Sequence, residues 1–297
     1  MKIFHHTDLD GKAAAAILTR KFPDAQLIPY NYFYSPETTI LRLEDGEEAI
    51  FVDITPTLDN LDILLTRTEN VTIIDHHSSS LNDLESMKYT FDGIQHCDGI
   101  GACVLVWKYY FPDIPVPEGI QLLGEYDDWK RTPDNKRFQF GIQTFNTFPT
   151  NNIWDKILRD EKHTIMKIKD IGANVLSYIV PWYKRLVRSY GIVGTCDERY
   201  STFLINQPGA DSSVFDDVEG SFEIHLRVAY GKGCRWLVSI TTDRDDIDVS
   251  EIARKYGGGG HRKSAGCSVE DLSEIFIAQE EVNPRYVKPT DVVITVF

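Results

Sequence analysis

The feature that most constrains this chain is a spelling repeated through its amino-terminal part: a short apolar run that stops at histidine or acid. Lys2-Ile3-Phe4 leads into His5-His6-Thr7-Asp8, Glu48-Ala49-Ile50-Phe51-Val52 into Asp53, and Asn70-Val71-Thr72-Ile73-Ile74 into Asp75. A further run, Ala25 to Tyr30, lies between the first two, and Leu58 to Thr66 carries a helical pattern. Short apolar runs separated by helical stretches read as the strands of a parallel sheet. Their carboxyl ends lie side by side in such a sheet, so these acids converge on the edge where α/β folds bind ligands.

The stretch HHTDLDGKAAAA, residues 5–16, shows the density of that edge. Ala13 to Leu18 has good helix propensity and little bulk. The plainer reading is that Asp8 or Asp10 caps this helix. One cap accounts for one residue, not for His5, His6, Asp8 and Asp10 together.

Composition narrows the setting. A chain of 297 residues, 42% hydrophobic and 26% charged, can build the core of a large domain or of two. Its apolar runs are too short to cross a bilayer, and Lys2 is followed at once by His5, His6 and Asp8, so no membrane span or secretory leader is expected. Five cysteines without a C-x-x-C pair suit a reducing cytoplasm rather than a disulfide framework or zinc finger. The net charge of −14 argues against a long-duplex binder, since phosphate neutralisation drives that binding. A short nucleotide stays compatible with it, because a metal site sets its own local field.

Further along, Asp98-Gly99-Ile100-Gly101-Ala102 opens a helix that runs through Phe111 to Pro112. Residues 154–190 read as helical, interrupted near Pro181, and connect two domains. Phe203-Leu204-Ile205, Ser221 to Tyr230 and Arg235 to Thr242 read as strands, with a helix from Val249 to Tyr256 before the cluster Gly257 to Gly260. The expected organisation is α/β: a parallel-sheet domain over 1–155, a helical connector over 156–195, and a smaller α/β domain over 196–297, with a cleft between the domains.

The chemistry gathers at His6/Asp8/Asp10, Asp53, Asp75-His76-His77, and Asp127-Asp128 in GEYDDW. Carboxylates meeting at one edge repel each other unless a cation neutralises them. Asp and His without cysteine suit Mn²⁺ or Mg²⁺ better than structural zinc. Two such ions would activate a water and clamp a phosphate. Singly, each residue has an ordinary alternative: a helix cap, a surface histidine pair, a solvated acidic loop. The ordered set does not. In the loop Gly257 to Gly260, glycines let backbone amides approach a phosphate, and His261 and Arg262 add donors; the plainer reading is a flexible turn. His96, His163 and His225 are assigned to structure or surface. Tyr30, Tyr32, Phe33 and Tyr34 could stack a base, but a surface-packed loop is the reading preferred.

The ordered set HTDLDG, VDIT, Asp75-His76-His77, YDDW and GGGGHRKSAG resembles the DHH phosphoesterases with a DHH-associated C-terminal domain, over nearly the whole chain. The HTDLDG spelling is most similar to the nanoRNase branch. The resemblance implies a manganese-dependent phosphodiesterase with two divalent ions, Mn²⁺ first and Mg²⁺ or Co²⁺ as alternatives. It implies His6 and Asp8 on one ion, Asp10, His76 and Asp127 on the other, and Asp53 bridging. His77 would face the substrate phosphate and Asp75 would orient His76. Other branches place the first histidine where this chain has Phe4, and His5 neighbours His6, so either can be the first ligand. Gly258, Gly259, Gly260, His261 and Arg262 match the substrate-binding loop. Family members often carry an arginine where this chain has Thr241-Thr242, with Arg244 the nearest replacement. The expected substrate is very short RNA, hydrolysed to mononucleotides. The alternative is a small nucleotide, either a cyclic or linear dinucleotide or 3′-phosphoadenosine 5′-phosphate. A non-catalytic nucleotide sensor is the rival of a different class. Neither a long duplex nor a membrane is expected as a partner, and a homodimer is an allowed assembly.

Overall fold

A computed structural model describes residues 1–31, 43–77, 84, 99–218, 220–231 and 233–279. It divides into two compact units, Met1–Leu176 and Ser177–Phe297. His96, Tyr32, Phe33 and Tyr34, and the Asp98 expected to open a helix, lie outside the described residues.

In the first unit, β1 (Lys2–His5), β2 (Gln26–Pro29), β3 (Ala49–Val52) and β4 (Val71–Ile74) form one parallel sheet in the order β2-β1-β3-β4. All four residues of β1 and of β3 are buried, as expected for strands covered on both faces. Alternation sorts their side chains. Ile3, Ile50, Val52 and Ile74 join one core, and Phe4, Phe51 and Ile73 the other. The register sets Phe4 opposite Phe51, where the rings stack at 4.5 Å. Tyr30 packs edge-on against both and accepts a hydrogen bond from Asn60 Nδ2 at 2.9 Å. Tyr30 is therefore a core residue and does not stack a base.

One face is covered by α1 (Leu9–Lys21), α3 (Ala102–Tyr110) and α4 (Glu118–Asp127), the other by α2 (Leu58–Leu65). The four alanines of α1 are fully buried, and their small side chains let the neighbouring helices come close. Where α3 begins beside α4 the backbones nearly touch: a Cβ on Gly101 would lie 2.4 Å from Gly124 Cα. The unit continues with α5 (Pro133–Ile142) and α6 (Asn152–Leu158).

The helical segment expected to break near Pro181 does not break there. Helix α7 (Lys162–Tyr190) runs through it. Proline's fixed φ fits a helix, and the cost is one hydrogen bond and a local clash. That cost is offset by anchorage on both sides, with Ile165 and Ile168 in the first unit's core and Tyr183 and Val187 in the second's. The actual interruption falls at residues 159–161, between α6 and α7.

In the second unit, β5 (Ile192–Cys196), β6 (Tyr200–Asn206), β7 (Ile224–Tyr230), β8 (Trp236–Thr241), β9 (Gly259–Gly260), β10 (Ser264–Val269) and β11 (Phe276–Ala278) form a mixed sheet, ordered β11-β5-β6-β7-β8-β10-β9. Only the β6–β7 pairing is parallel among the described strands. Helix α8 (Val249–Lys255) shares a core with Leu204, Leu226 and Ile240, while Phe203 and Ile205 pack with Tyr183 and Val187. His225 stacks on Phe215 at 4.9 Å inside this unit, and His163 is exposed.

Candidate metal centre

The carboxyl ends of β1, β3 and β4 place His6, Asp53 and Asp75 next to one another. His6 Nδ1 lies 2.6 Å from Asp8 Oδ2 and 3.5 Å from Asp53 Oδ2. Asp8 is also the cap of α1, since its Oδ1 accepts from Gly11 N at 2.9 Å. Capping and siting are thus both true, one carboxylate oxygen serving each. Gly11 is required by this closeness, because a Cβ there would sit 2.5 Å from His6 O. His5 is turned away. Its Nδ1 meets its neighbour's carbonyl oxygen at 2.7 Å, so His6 is the histidine that joins the acids.

A second group forms around His76. Its Nε2 lies 3.2 Å from Asp53 Oδ1, 3.3 Å from Asp127 Oδ2 and 3.6 Å from Asp10 Oδ2. Asp10 is buried and spans the N-terminus of α3, accepting from Ala102 N at 2.6 Å and Cys103 N at 3.0 Å. It does for α3 what Gly101, the cap without a side chain, cannot. Asp127 is the last residue of α4. Asp128 turns instead to Lys130 Nζ at 3.3 Å.

Asp53 stands between the two groups. It adopts φ 60°, an uncommon backbone for a residue other than glycine, and its amide bonds Ile74 O at 3.0 Å. Its side chain is buried and neither carboxylate oxygen accepts a hydrogen bond, yet Oδ2 faces His6 and Oδ1 faces His76. A buried carboxylate left in this state is costly unless a cation completes it. Ligand atoms of His6, Asp8 and Asp53, and of Asp10, His76 and Asp127, lie within 4.8 Å of one another in each set. The donors therefore fit a divalent metal, and Asp53 can serve both sets.

The charges tell the same story. Burial opposes the cation of His6, but Asp8 and Asp53 overcome it and push its pKa up to about 12. His76 is raised well above the ordinary range, against burial, by Asp127 and Asp53. Burial, then Asp53 and Asp127, raise Asp10, and burial with Asp8 raises Asp53. Without metal the centre thus favours the protonated forms of these groups.

Asp75 behaves differently from expectation. Its Oδ1 pairs with His77 Nδ1 at 2.6 Å, while it meets His76 through that residue's backbone N–H at 2.8 Å. The ring it orients is His77. Burial opposes Asp75's charge, and His77 outweighs burial to hold it well below the usual carboxylate range. Thr55 fixes the other oxygen, donating to Oδ2 at 2.7 Å. Thr55 was legible only as a letter of VDIT, and the Ala102 and Cys103 amides carried no sequence signal for this site.

In the second unit, the glycines meet local demands. Gly257 (φ 72°) and Gly258 donate to Arg254 O and Ala253 O, closing α8. A Cβ on Gly258 would lie 2.0 Å from Gly266 O. His261 N bonds Ser264 O at 2.7 Å, and Arg262 reaches Asp245 O at 2.8 Å and Asp248 Oδ2 at 3.6 Å. Arg262 also borders a charged pocket with Arg199, Lys255 and Glu251. Arg244 is held by Asp246 through two contacts of 2.6 and 2.8 Å.

The chain is thus an α/β protein of two units, a parallel sheet with a candidate metal centre at its carboxyl edge followed in sequence by a mixed-sheet unit. No family model matches the chain. It is 25% identical to Oligoribonuclease NrnB of Bacillus subtilis (strain 168), covering 93% of this chain and 75% of that one. It is 27% identical to an uncharacterized protein of Acanthamoeba polyphaga mimivirus, over 67% of this chain and 48% of that one. Among solved structures it resembles a DHH domain from a protein assigned to a family of ribosomal proteins (TM-score 0.53, 14% identity, 91% of this chain and 82% of the other). It also resembles a pGpG-specific phosphodiesterase, PggH of Vibrio cholerae (TM-score 0.50, 14% identity, 92% and 94%). The chain thus shares its fold with DHH-domain proteins.

Proposed function

We propose that this protein is a manganese-dependent phosphodiesterase that hydrolyses very short oligoribonucleotides to mononucleotides. The observation that carries the reading is the Asp53 carboxylate, buried and accepting no hydrogen bond, with one oxygen toward His6 and the other toward His76. In this reading His6 and Asp8 hold one divalent ion, Asp10, His76 and Asp127 the other, and Asp53 both. Bound ions would neutralise the acids and polarise the phosphoryl group for attack by water.

The chain's own residues supply the rest. Asp75 fixes the His77 ring through Nδ1, so that Nε2 is the atom offered to substrate. Burial opposes the His77 cation, but Asp75 outweighs it and raises the pKa, so His77 can donate a hydrogen bond to the phosphate or a proton to the leaving oxygen. The Gly258–Gly260 loop shapes the second unit's grip, with His261 and Arg262 as phosphate donors. The contacts of Arg262 to Asp245 and Asp248 are exposed and cheap to exchange. Short RNA is favoured as substrate by the likeness to the B. subtilis oligoribonuclease. The setting we propose is the cytoplasm, where the free thiols of Cys103, Cys196, Cys234 and Cys267 stay reduced.

A substrate panel tests the reading: dinucleotides to pentanucleotides, long single-stranded RNA, a cyclic dinucleotide and 3′-phosphoadenosine 5′-phosphate, each with Mn²⁺. The di- to pentanucleotides should be cleaved with the highest kcat/KM. Preferred turnover of the bisphosphate or the cyclic dinucleotide would replace the substrate assignment.

A further inference from the structure

Among the described residues, three helices end in the same hydrogen-bonded cap, and one of the three carries the wrong residue for it. At the end of α8, Gly257 N reaches Arg254 O and Gly258 N reaches Ala253 O, with φ 72° at Gly257. At the end of α6, Asp160 N reaches Ile157 O and Glu161 N reaches Lys156 O, with φ 56° at Asp160. At the end of α4, Trp129 N reaches Tyr126 O and Lys130 N reaches Glu125 O, with φ 61° at Trp129. This cap requires the left-handed region, which glycine takes freely and aspartate or asparagine tolerate. A tryptophan there is strained, and such strain collects at ligand-binding positions.

The strained residue also sits at a telling place. Trp129 follows the proposed ligand Asp127 by two positions, less than one helical turn. Its ring is half-buried, with the Arg131 guanidinium 3.9 Å from its centroid; the same guanidinium is 5.3 Å from the Tyr126 ring. An aromatic face backed by a cation, two residues from the proposed ligand Asp127, is the chemistry that takes a nucleobase.

The geometry points to Trp129 as a stacking platform for the base of the nucleotide whose phosphate lies at the Asp53-centred site. The platform rests on the phosphodiesterase reading only for which phosphate that is. It makes the first unit a reader of nucleosides rather than of bare phosphate esters, tolerant of base identity because every base offers a π face.

The test compares adenosine 5′-monophosphate with ribose 5-phosphate, binding each by calorimetry in Mn²⁺ to the full chain and to Trp129→Gly and Trp129→Phe. Glycine is the residue the cap prefers, so the Gly variant should fold; its thermal midpoint is recorded alongside. The monophosphate should bind wild type better than ribose 5-phosphate does. Trp129→Gly should weaken the monophosphate about tenfold or more, leave ribose 5-phosphate unchanged, and Trp129→Phe should recover most of the loss. The inference is overturned if Trp129→Gly leaves both affinities alone, or weakens both equally, or if wild type does not distinguish the two ligands. Trinucleotide hydrolysis by wild type, measured in parallel, separates failure of this inference from failure of the phosphodiesterase reading.

Discussion

Asp53 is the residue on which the metal centre turns. It is buried among acids, takes φ 60°, and accepts no hydrogen bond. Asparagine keeps its shape and tolerates the left-handed backbone, but gives one ligand oxygen instead of two. Asp53→Asn should therefore lower kcat on the order of a thousandfold, the rate equivalent of about 4 kcal/mol of lost stabilisation. Its metal-free thermal midpoint should stay within about 4 °C of wild type, since removing one acid from a crowded group relieves repulsion. The rise in midpoint that Mn²⁺ gives wild type should be largely lost. Scanning calorimetry with and without metal checks both; a near-normal kcat in the folded variant would remove Asp53 from the centre.

At the scale of elements, the site depends on how tightly α3, α4 and the sheet edge approach. A Cβ on Gly124 would lie 2.7 Å from Val104 Cγ2 and 3.4 Å from Gly101 Cα. Gly124→Ala should push α4 off α3, displace Asp127 from His76, and weaken Mn²⁺ binding while secondary structure survives; circular dichroism and a metal titration check it. Asp10 works on the same helices. Asp10→Ala should cost about 1–3 kcal/mol of stability in metal-free protein, because the Ala102 and Cys103 amides lose their acceptor. A denaturant titration showing no loss would deny Asp10 its hold on α3. The strand ends were legible in the sequence because β1, β3 and β4 each stop where the apolar run meets histidine or acid. Helices α4 and α5 are not legible in the sequence. Gly119 and Gly124 interrupt the helical spelling of α4, and only its packing explains them. Helix α7 continues through Pro181 because burial on either side of the proline outweighs its cost. The pairing of Asp75 with His77 rather than the His76 ring was not legible at all, since it depends on which face of the turn Thr55 and Asp53 occupy.

For the whole molecule, the two units have separable tasks in the proposed account. Changing both His261 and Arg262 to Ala should raise KM for a tri- or pentanucleotide on the order of tenfold, the value of one charge-assisted phosphate contact. Hydrolysis of a minimal activated phosphodiester, which needs only the metal centre, should change little. Equal loss on both substrates would refute the division. Long single strands should be poor substrates, because a net charge of −14 leaves little basic surface to follow a backbone. The central claim, that the Asp53-centred acids and histidines hold divalent ions that drive hydrolysis of short RNA, is tested most directly by one titration. Chelator-treated protein is given increasing Mn²⁺, and mononucleotide release from a ribotrinucleotide is followed together with the number of ions bound. The account predicts no release without metal and full release as the second ion binds. Release in excess chelator, or two bound ions with the trinucleotide left intact, would contradict it.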